Sequence, residues 1–201
     1  MLFVHAAPRE AGSLAAEPRV LELGVGKVAA TLALTQRVLA RRPAAVVLFG
    51  VAGSHPGGPA IARPCLVEAD WLADEGVWAP GGFLSLEQLG LGRRGPFVAD
   101  PQLGAWVEAR LGVALPRVVG ATVSACSGTD AQVRAARAAC PEASVESMEG
   151  AAVGAVCAAL GIPWVQLRVI SNRTGDRDRA GWDLDAALAV LHPAVRRLLD
   201  G

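Results

Sequence analysis

Three uninterrupted apolar runs constrain this chain most: LFVHAA at 2–7, AAVVLFGVAG at 44–53 and WVQLRVIS at 164–171. Each has the length of a strand and stops at Gly, Pro or polar residues. A strand with one wet face alternates apolar and polar residues, whereas a run that is apolar at every position is buried on both faces. Segments 61–74 (IARPCLVEADWLAD, extended after Pro64) and 117–126 (RVVGATVSAC) supply two further, less pure strands. Helical patterns separate the strands. The spacing of Val28, Leu32 and Leu39 predicts a helix over 27–42 that ends before Pro43. Thr129 or Asp130 would cap a second over 130–139. A third runs from Glu149 to Leu160 and is closed by Gly161 and Pro163, and a fourth over 183–199 is bent or interrupted at Pro193.

Strands alternating with helices predict an α/β layer fold with a mostly parallel sheet covered on both sides, most simply one domain over 1–201. At 201 residues the chain can bury a substantial core. Residues 75–100, rich in Gly and Pro, read as a long surface excursion. The 19 basic and 19 acidic side chains balance, which removes the electrostatic reason to expect nucleic acid or an anionic membrane as partner. No apolar run approaches the roughly 20 residues of a membrane span, and a cytoplasmic location is expected. Cys65, Cys126, Cys140 and Cys157 form no CxxC pair and lie at no zinc-finger spacing from a His, so no metal or other cofactor is expected. Cys126 lies among polar residues where a thiol could react, but all four read best as reduced, structural thiols.

In α/β sheets the site collects at the carboxyl ends of the strands. That directs attention to Pro8-Arg9-Glu10, to Gly50-Val51-Ala52-Gly53-Ser54 as a turn, to Ser124 through Asp130, and to Ser171-Asn172. The GVGK of 24–27 opens a helix as a tight turn and could offer backbone N–H groups to an anion, although it lacks the third Gly of a dinucleotide fingerprint. Glu146 and Glu149 are spaced so that on one helix they would share a face. Arg168 and Asn172, four apart on an extended strand, would project to one side. Arg168 in an apolar strand needs a partner, and Glu149 is a candidate. His55 lies in a Gly-Pro loop from which it could reach a site, and no GxSxG elbow supports a serine hydrolase.

In this order, GVGKVAAT, LFGVAGS, ESMEGAA and LRVISN resemble the nucleoside phosphorylase and nucleosidase family over most of the chain. The resemblance implies a three-layer α/β/α single domain with a central twisted mixed sheet, a small-molecule nucleoside substrate and a homo-oligomer, dimer or tetramer. Carried over by motif, Glu10 would activate the attacking water, Met148 would pack on the sugar, and Glu149 would accept from the ribose hydroxyls. Arg168 and Ser171 match an Arg-x-x-Ser that supports Glu149 and the last loop. Gly53, Ser127, Gly128, Thr129 and Trp182 complete the expected substrate-binding set. Trp182, with Arg177 or Asp178, could close over the site. Glu146 falls back to a first-turn or surface acid.

Two departures bear on specificity. Adenine-specific 5′-methylthioadenosine/S-adenosylhomocysteine nucleosidases carry Glu-Met-Glu and Ser-Asp where this chain has Ser147-Met148-Glu149 and Ser171-Asn172. Asp can protonate adenine N7. Asn cannot, but its amide suits the N7 and 6-oxo acceptors of hypoxanthine. The resemblance is therefore closer to the branch that releases hypoxanthine from a nucleoside of menaquinone biosynthesis. Arg9 and the Gly24–Lys27 loop leave phosphorolysis open, and a silent nucleoside-binding protein on the same scaffold is the rival from another class.

Overall fold

The computed structural model describes residues 1–176 and 182–201. Its strands are β1 (Leu2–His5), β2 (Val20–Glu22), β3 (Val46–Ser54), β4 (Pro64–Leu72), β5 (Gly76–Ala79), β6 (Gly82–Ser85), β7 (Phe97–Val98), β8 (Arg117–Thr122), β9 (Val145–Ser147) and β10 (Trp164–Arg173). The helices are α1 (Pro8–Ala11), α2 (Lys27–Ala40), α3 (Pro101–Leu111), α4 (Asp130–Ala139), α5 (Gly150–Leu160) and α6 (Leu184–Leu199). Among the described residues no helix is long and apolar enough to cross a membrane.

Eight strands form one mixed sheet in the order β10-β4-β8-β9-β3-β1-β2, with β7 beside β4, and β10 pairs in addition with β3. That last pairing changes the architecture. Because β3 holds both β9 and β10, the strands β3, β10, β4, β8 and β9 close into a ring, and β1 and β2 extend from it as a parallel wing. Ala52, Cys65, Val67, Val118, Val145 and Ile170 form one buried cluster to which every strand of the ring contributes.

The apolar runs are explained by layers on both faces. Phe3, Val47, Phe49, Leu167 and Val169 pack against Val107 of α3 and Leu188, Leu191, Val195 and Leu198 of α6. Their neighbours Leu2, Val4, Val46 and Leu48 pack on the opposite face against Ala30, Leu34 and Val38 of α2 and Val153, Val156 and Cys157 of α5. Period-two alternation thus divides apolar side chains between two dry faces.

The expected helices form, with caps that explain their limits. Thr129 Oγ1 accepts from Gln132 N at the start of α4, Asp183 accepts from Ala186 N at the start of α6, and Gly161 ends α5 in the left-handed conformation. Several details differ from expectation. Helix α6 runs unbroken through Pro193, held by its buried Leu188, Leu191, Val195 and Leu198. The Gly50–Gly53 segment lies inside β3 and is not a turn. The 75–100 excursion contains the β5–β6 hairpin and β7. Helices α1 and α3 and strands β2 and β9 are additions. Helix α3 announces itself locally, since Asp100 accepts from Gln102 N and Leu103 N ahead of Pro101.

On α2 the residues whose spacing predicts the helix are its outward face: Val28, Leu32 and Leu39 are exposed, while Ala30, Leu34 and Val38 are buried. Replacing Leu34 by Ala is therefore expected to cost about 2–5 kcal/mol by leaving a cavity. Leu32→Ala, one half-turn away, should stay within about 0.5 kcal/mol. Urea denaturation of the two variants as monomers checks the assignment.

Candidate active site

Glu10 sits in the single turn of α1. Pro8 at the first helical position presets the backbone, and the side chain folds back so that Oε2 accepts from Ala6 N (2.9 Å) and Ala7 N (3.0 Å). Oε1 accepts from Val51 N of β3 at 2.8 Å. The carboxylate is buried and fixed by three N–H groups from two elements. It reaches this place because residue 50 has no side chain. A Cβ on Gly50 would lie 2.3 Å from Glu10 Oε1 and 2.6 Å from Arg168 Nη1.

Glu149 approaches from the N-cap position of α5. Its Oε1 accepts from Gly26 N at 2.9 Å. The GVGK turn therefore does present a backbone N–H to an anion, and that anion is the protein's own carboxylate. Gly26, at φ +95°, has the backbone conformation that permits it. Burial raises the Glu149 carboxyl above its ordinary pKa; the nearby Arg168 and the Gly26 N–H oppose this, and Glu10 adds to it.

Arg168, buried on β10, lies between the two acids, with Nη1 4.0 Å from Glu10 Oε1 and Nη2 3.8 Å from Glu149 Oε2. Its hydrogen bonds go elsewhere. Nε and Nη2 both donate to Gln166 Oε1 (3.2 and 3.0 Å), Nη1 donates to Val51 O (3.2 Å) and Nη2 to Ser147 Oγ (3.3 Å). Gln166 Nε2 in turn donates to Asp70 Oδ2 (2.9 Å), and Asp70 Oδ1 accepts from Thr122 Oγ1 (2.9 Å). Thr122 Oγ1 also accepts from Ala151 N (2.7 Å), an otherwise unpaired N–H in the first turn of α5. A continuous buried chain thus ties Arg168 to the end of the helix that carries Glu149. Desolvation pushes the Asp70 carboxyl up to about 6, against the hydrogen bonds from Gln166 and Thr122.

The second half of the site follows from strand register. Gly53 of β3 pairs with Glu146 of β9 on one side and Asn172 of β10 on the other. A Cβ there would lie 3.2 Å from Asn172 Nδ2 and 3.5 Å from Glu146 Cγ, so both side chains flank the gap that glycine leaves. This corrects two expectations. Glu146 is neither on a helix with Glu149 nor on the surface: it is 3% exposed, on β9. Asn172 does not share a face with Arg168. The register shifts between Ile170 and Asn172, so Arg168 pairs with Gly50 and Asn172 with Gly53, three residues on. One extra residue in a strand reverses the alternation beyond it.

A cavity of about 120 Å³ opens here, lined by Gly53, Cys126, Ser127, Gly128, Glu146, Asn172 and Trp182. Ser127 donates to Glu146 twice, from N (2.6 Å) and Oγ (2.8 Å). Ser171 Oγ donates to Asn172 Oδ1 (2.9 Å), and Asn172 Nδ2 donates to Arg173 O (3.1 Å). Trp182 bridges to Asn172 through the backbone. Asp130 and Asp176 exchange N–H to carboxylate bonds, and Gly175 N donates to Ser127 O, so the chain leaving β10 is held against the cavity loop. Arg177 and Asp178 lie outside the described residues. Met148 is half-buried between β9 and α5, whereas the Thr129 hydroxyl caps α4. The Cys126 thiol is pushed up to about 11, by burial first and then by Glu146 and Glu149, so it is neutral at ordinary pH.

The cations that left phosphate binding open are both engaged. Arg9 pairs with Asp185 at the surface (2.5 Å). Lys27 Nζ lies 2.5 Å from Asp74 and 3.3 Å from Glu75. His55 is buried, with Nδ1 3.1 Å from Thr174 Oγ1, and its pKa falls to about 4 through desolvation and then Arg137. Gln166, Asp70 and Thr122 escaped notice in the sequence, although a Gln and an Asp inside otherwise apolar strands are a visible signal.

The raised Asp70 pKa makes a signed prediction. An acid whose folded pKa exceeds its unfolded one favours the folded state less as pH rises between the two values. The stability of the wild type relative to Asp70→Asn should therefore fall by about 3 kcal/mol between pH 4 and pH 7 and then level off. Urea denaturation of both proteins across that range is the measurement.

The family model of the Phosphorylase superfamily matches residues 4–200. The chain is 40% identical over 182 residues to futalosine hydrolase of Thermus thermophilus, covering 89% of this chain and 80% of that protein. It is 33% identical over 181 residues to futalosine hydrolase of Acidothermus cellulolyticus, covering 89% and 74%. Among solved structures, the 5′-methylthioadenosine/S-adenosylhomocysteine nucleosidase of Neisseria meningitidis in complex with methylthio-immucillin-A superposes with a TM-score of 0.82 at 19% identity, over 98% of this chain and 97% of that one. Native futalosine hydrolase of Helicobacter pylori superposes with a TM-score of 0.80 at 20% identity, over 98% and 96%. At such identities these two superpositions speak for the fold, while the two sequence relatives reach further: the chain belongs to the Phosphorylase superfamily and, within it, to the family of the futalosine hydrolases.

Proposed function

We propose that this protein hydrolyses the N-ribosidic bond of futalosine, giving hypoxanthine and dehypoxanthinyl futalosine, as a cytoplasmic step of menaquinone biosynthesis carried out by a single-domain protein. The observation that carries this reading is the pair of buried carboxylates, Glu10 and Glu149, on either side of Arg168. The futalosine hydrolase relatives name the nucleoside.

Glu10 takes the proton of the attacking water. Of its roughly four acceptor positions three are filled by N–H groups, which leaves one for a water and fixes where that water sits. Glu149 spends Oε1 on Gly26 N and turns Oε2 to the ribose hydroxyls, and its charge favours the cationic character that builds on the sugar ring. Met148 packs on the sugar. Asn172, oriented by Ser171, donates to the purine at N7 or O6 as the base departs with the bonding electrons. Ser127, Gly128 and Thr129 shape the loop over the base, and Gly53 and Trp182 bound its slot. Engagement of Arg9 and Lys27 by carboxylates favours water over phosphate as the nucleophile.

The same reading includes a homo-oligomer. The outward apolar stripe of α2, Val28 and Leu32, borders a groove of about 540 Å³ shared with Ala152 and Ala155 of α5. A second copy would cover it, and sedimentation above the monomer mass, reduced by Leu32→Glu, is the expected result.

Incubating the protein with futalosine, inosine, methylthioadenosine and adenosylhomocysteine, each with and without phosphate, tests the activity. Hypoxanthine release from futalosine at a rate independent of phosphate is expected; phosphate-dependent turnover or preference for the adenine nucleosides would overturn it. Glu10→Gln should lower kcat by about 10²–10⁴-fold while hypoxanthine still binds.

A further inference from the structure

Glu146 is a buried acid that the proposed mechanism does not use. It is 3% exposed, lines the small cavity, and stands across Gly53 from Asn172 at the same register level. Among the described residues its two donors are both on Ser127, at 2.6 and 2.8 Å. A carboxylate offers about four acceptor positions, so about two remain. Glu10 and Glu149 each face the Arg168 guanidinium, whereas among the described residues no cation lies within salt-bridge distance of Glu146. Holding the Ser127 loop does not require a charge, since a neutral Gln could keep both contacts, its carbonyl accepting from Ser127 N and its amide N–H donating to the Ser127 hydroxyl. A buried carboxylate with spare acceptor positions and no cation is costly unless a further donor arrives.

The occupant of the slot would supply that donor. A 6-oxopurine carries an N–H at N1 and acceptors at O6 and N7, whereas a 6-aminopurine has a bare lone pair at N1. The Asn172 amide can donate to O6 or N7 from one side of Gly53. The acceptor-only group on the other side then meets the N1 edge. We propose that Glu146 is a specificity-determining residue that accepts a hydrogen bond from N1–H of a 6-oxopurine and turns away 6-aminopurines by opposing their N1 lone pair. This rests on the purine-nucleosidase reading above and goes beyond it by assigning the edge that Asn172 does not reach.

Hydrogen bonding to an ionised acceptor, set against an unpaired buried one, corresponds to about 10–100-fold in affinity. Calorimetry with the free bases hypoxanthine, 1-methylhypoxanthine and adenine reads this without relying on turnover. The wild type should bind hypoxanthine about 10–100-fold tighter than either of the others. In Glu146→Gln, whose amide can present either a donor or an acceptor, hypoxanthine should weaken, adenine should strengthen, and their ratio should fall to within about threefold. A Gln variant that weakens both bases equally would reduce Glu146 to a support for the Ser127 loop and overturn the proposal. Should Glu146→Gln fail to fold, the wild type decides: equal binding of hypoxanthine and 1-methylhypoxanthine overturns the proposal, and strong discrimination supports it. Wild-type protein that cleaves futalosine without discriminating between these bases removes the role of Glu146 alone. Wild-type protein that binds none of the bases removes the nucleosidase reading with it.

Discussion

The site depends on one guanidinium placed between two carboxylates. Burying Arg168, Glu10 and Glu149 carries a desolvation cost of several kcal/mol for each ion, and removing Arg168 would leave two uncompensated negative charges in the interior. The geometry resolves this in a particular way. Arg168 spends its hydrogen bonds on Gln166, Val51 and Ser147, and meets the acids at 3.8–4.0 Å, beyond hydrogen-bonding length. It therefore supplies positive charge without occupying the acceptor positions of either acid. Those positions stay open, as the proposed reaction requires for a water at Glu10 and for sugar hydroxyls at Glu149.

The surroundings hold that arrangement rigid. Gly50 lets Glu10 and Arg168 share the space where its own side chain would be. The chain from Arg168 through Gln166, Asp70 and Thr122 ends on the first turn of α5, so the orientation of the guanidinium and the position of Glu149 are set by one connected network. In a low-dielectric interior such a network is strong when every member is satisfied and costly when one is missing.

The closing contact between β3 and β10 brings the two halves of the site together. Glu10 bonds to β3 and Arg168 stands on β10, while Glu146 on β9 and Asn172 on β10 flank a β3 glycine. The bulge at Ser171 then divides β10 in two. Below it the strand faces the acid pair, and above it the small cavity beside Gly53. A strand of even alternation could serve only one of them.

Sequence alone determined a good deal here. Continuous apolar runs bounded by Gly and Pro require strands buried on both faces, and the caps and Gly stops place α4, α5 and α6 within a residue or two, because these signals are local. An Arg inside an apolar strand requires an acid nearby, and Glu149 is one of the two beside it. What the tertiary structure decided is everything that depends on register and closure. The pairing of β10 with both β3 and β4, the bulge that turns Asn172 away from the face of Arg168, and the burial of Glu146 all depend on partners distant in the chain. So does the outward direction of Val28, Leu32 and Leu39. Period and composition say that a residue lies on a face, but only the packed strands and helices decide which face is dry, and shifting one residue in register exchanges the two.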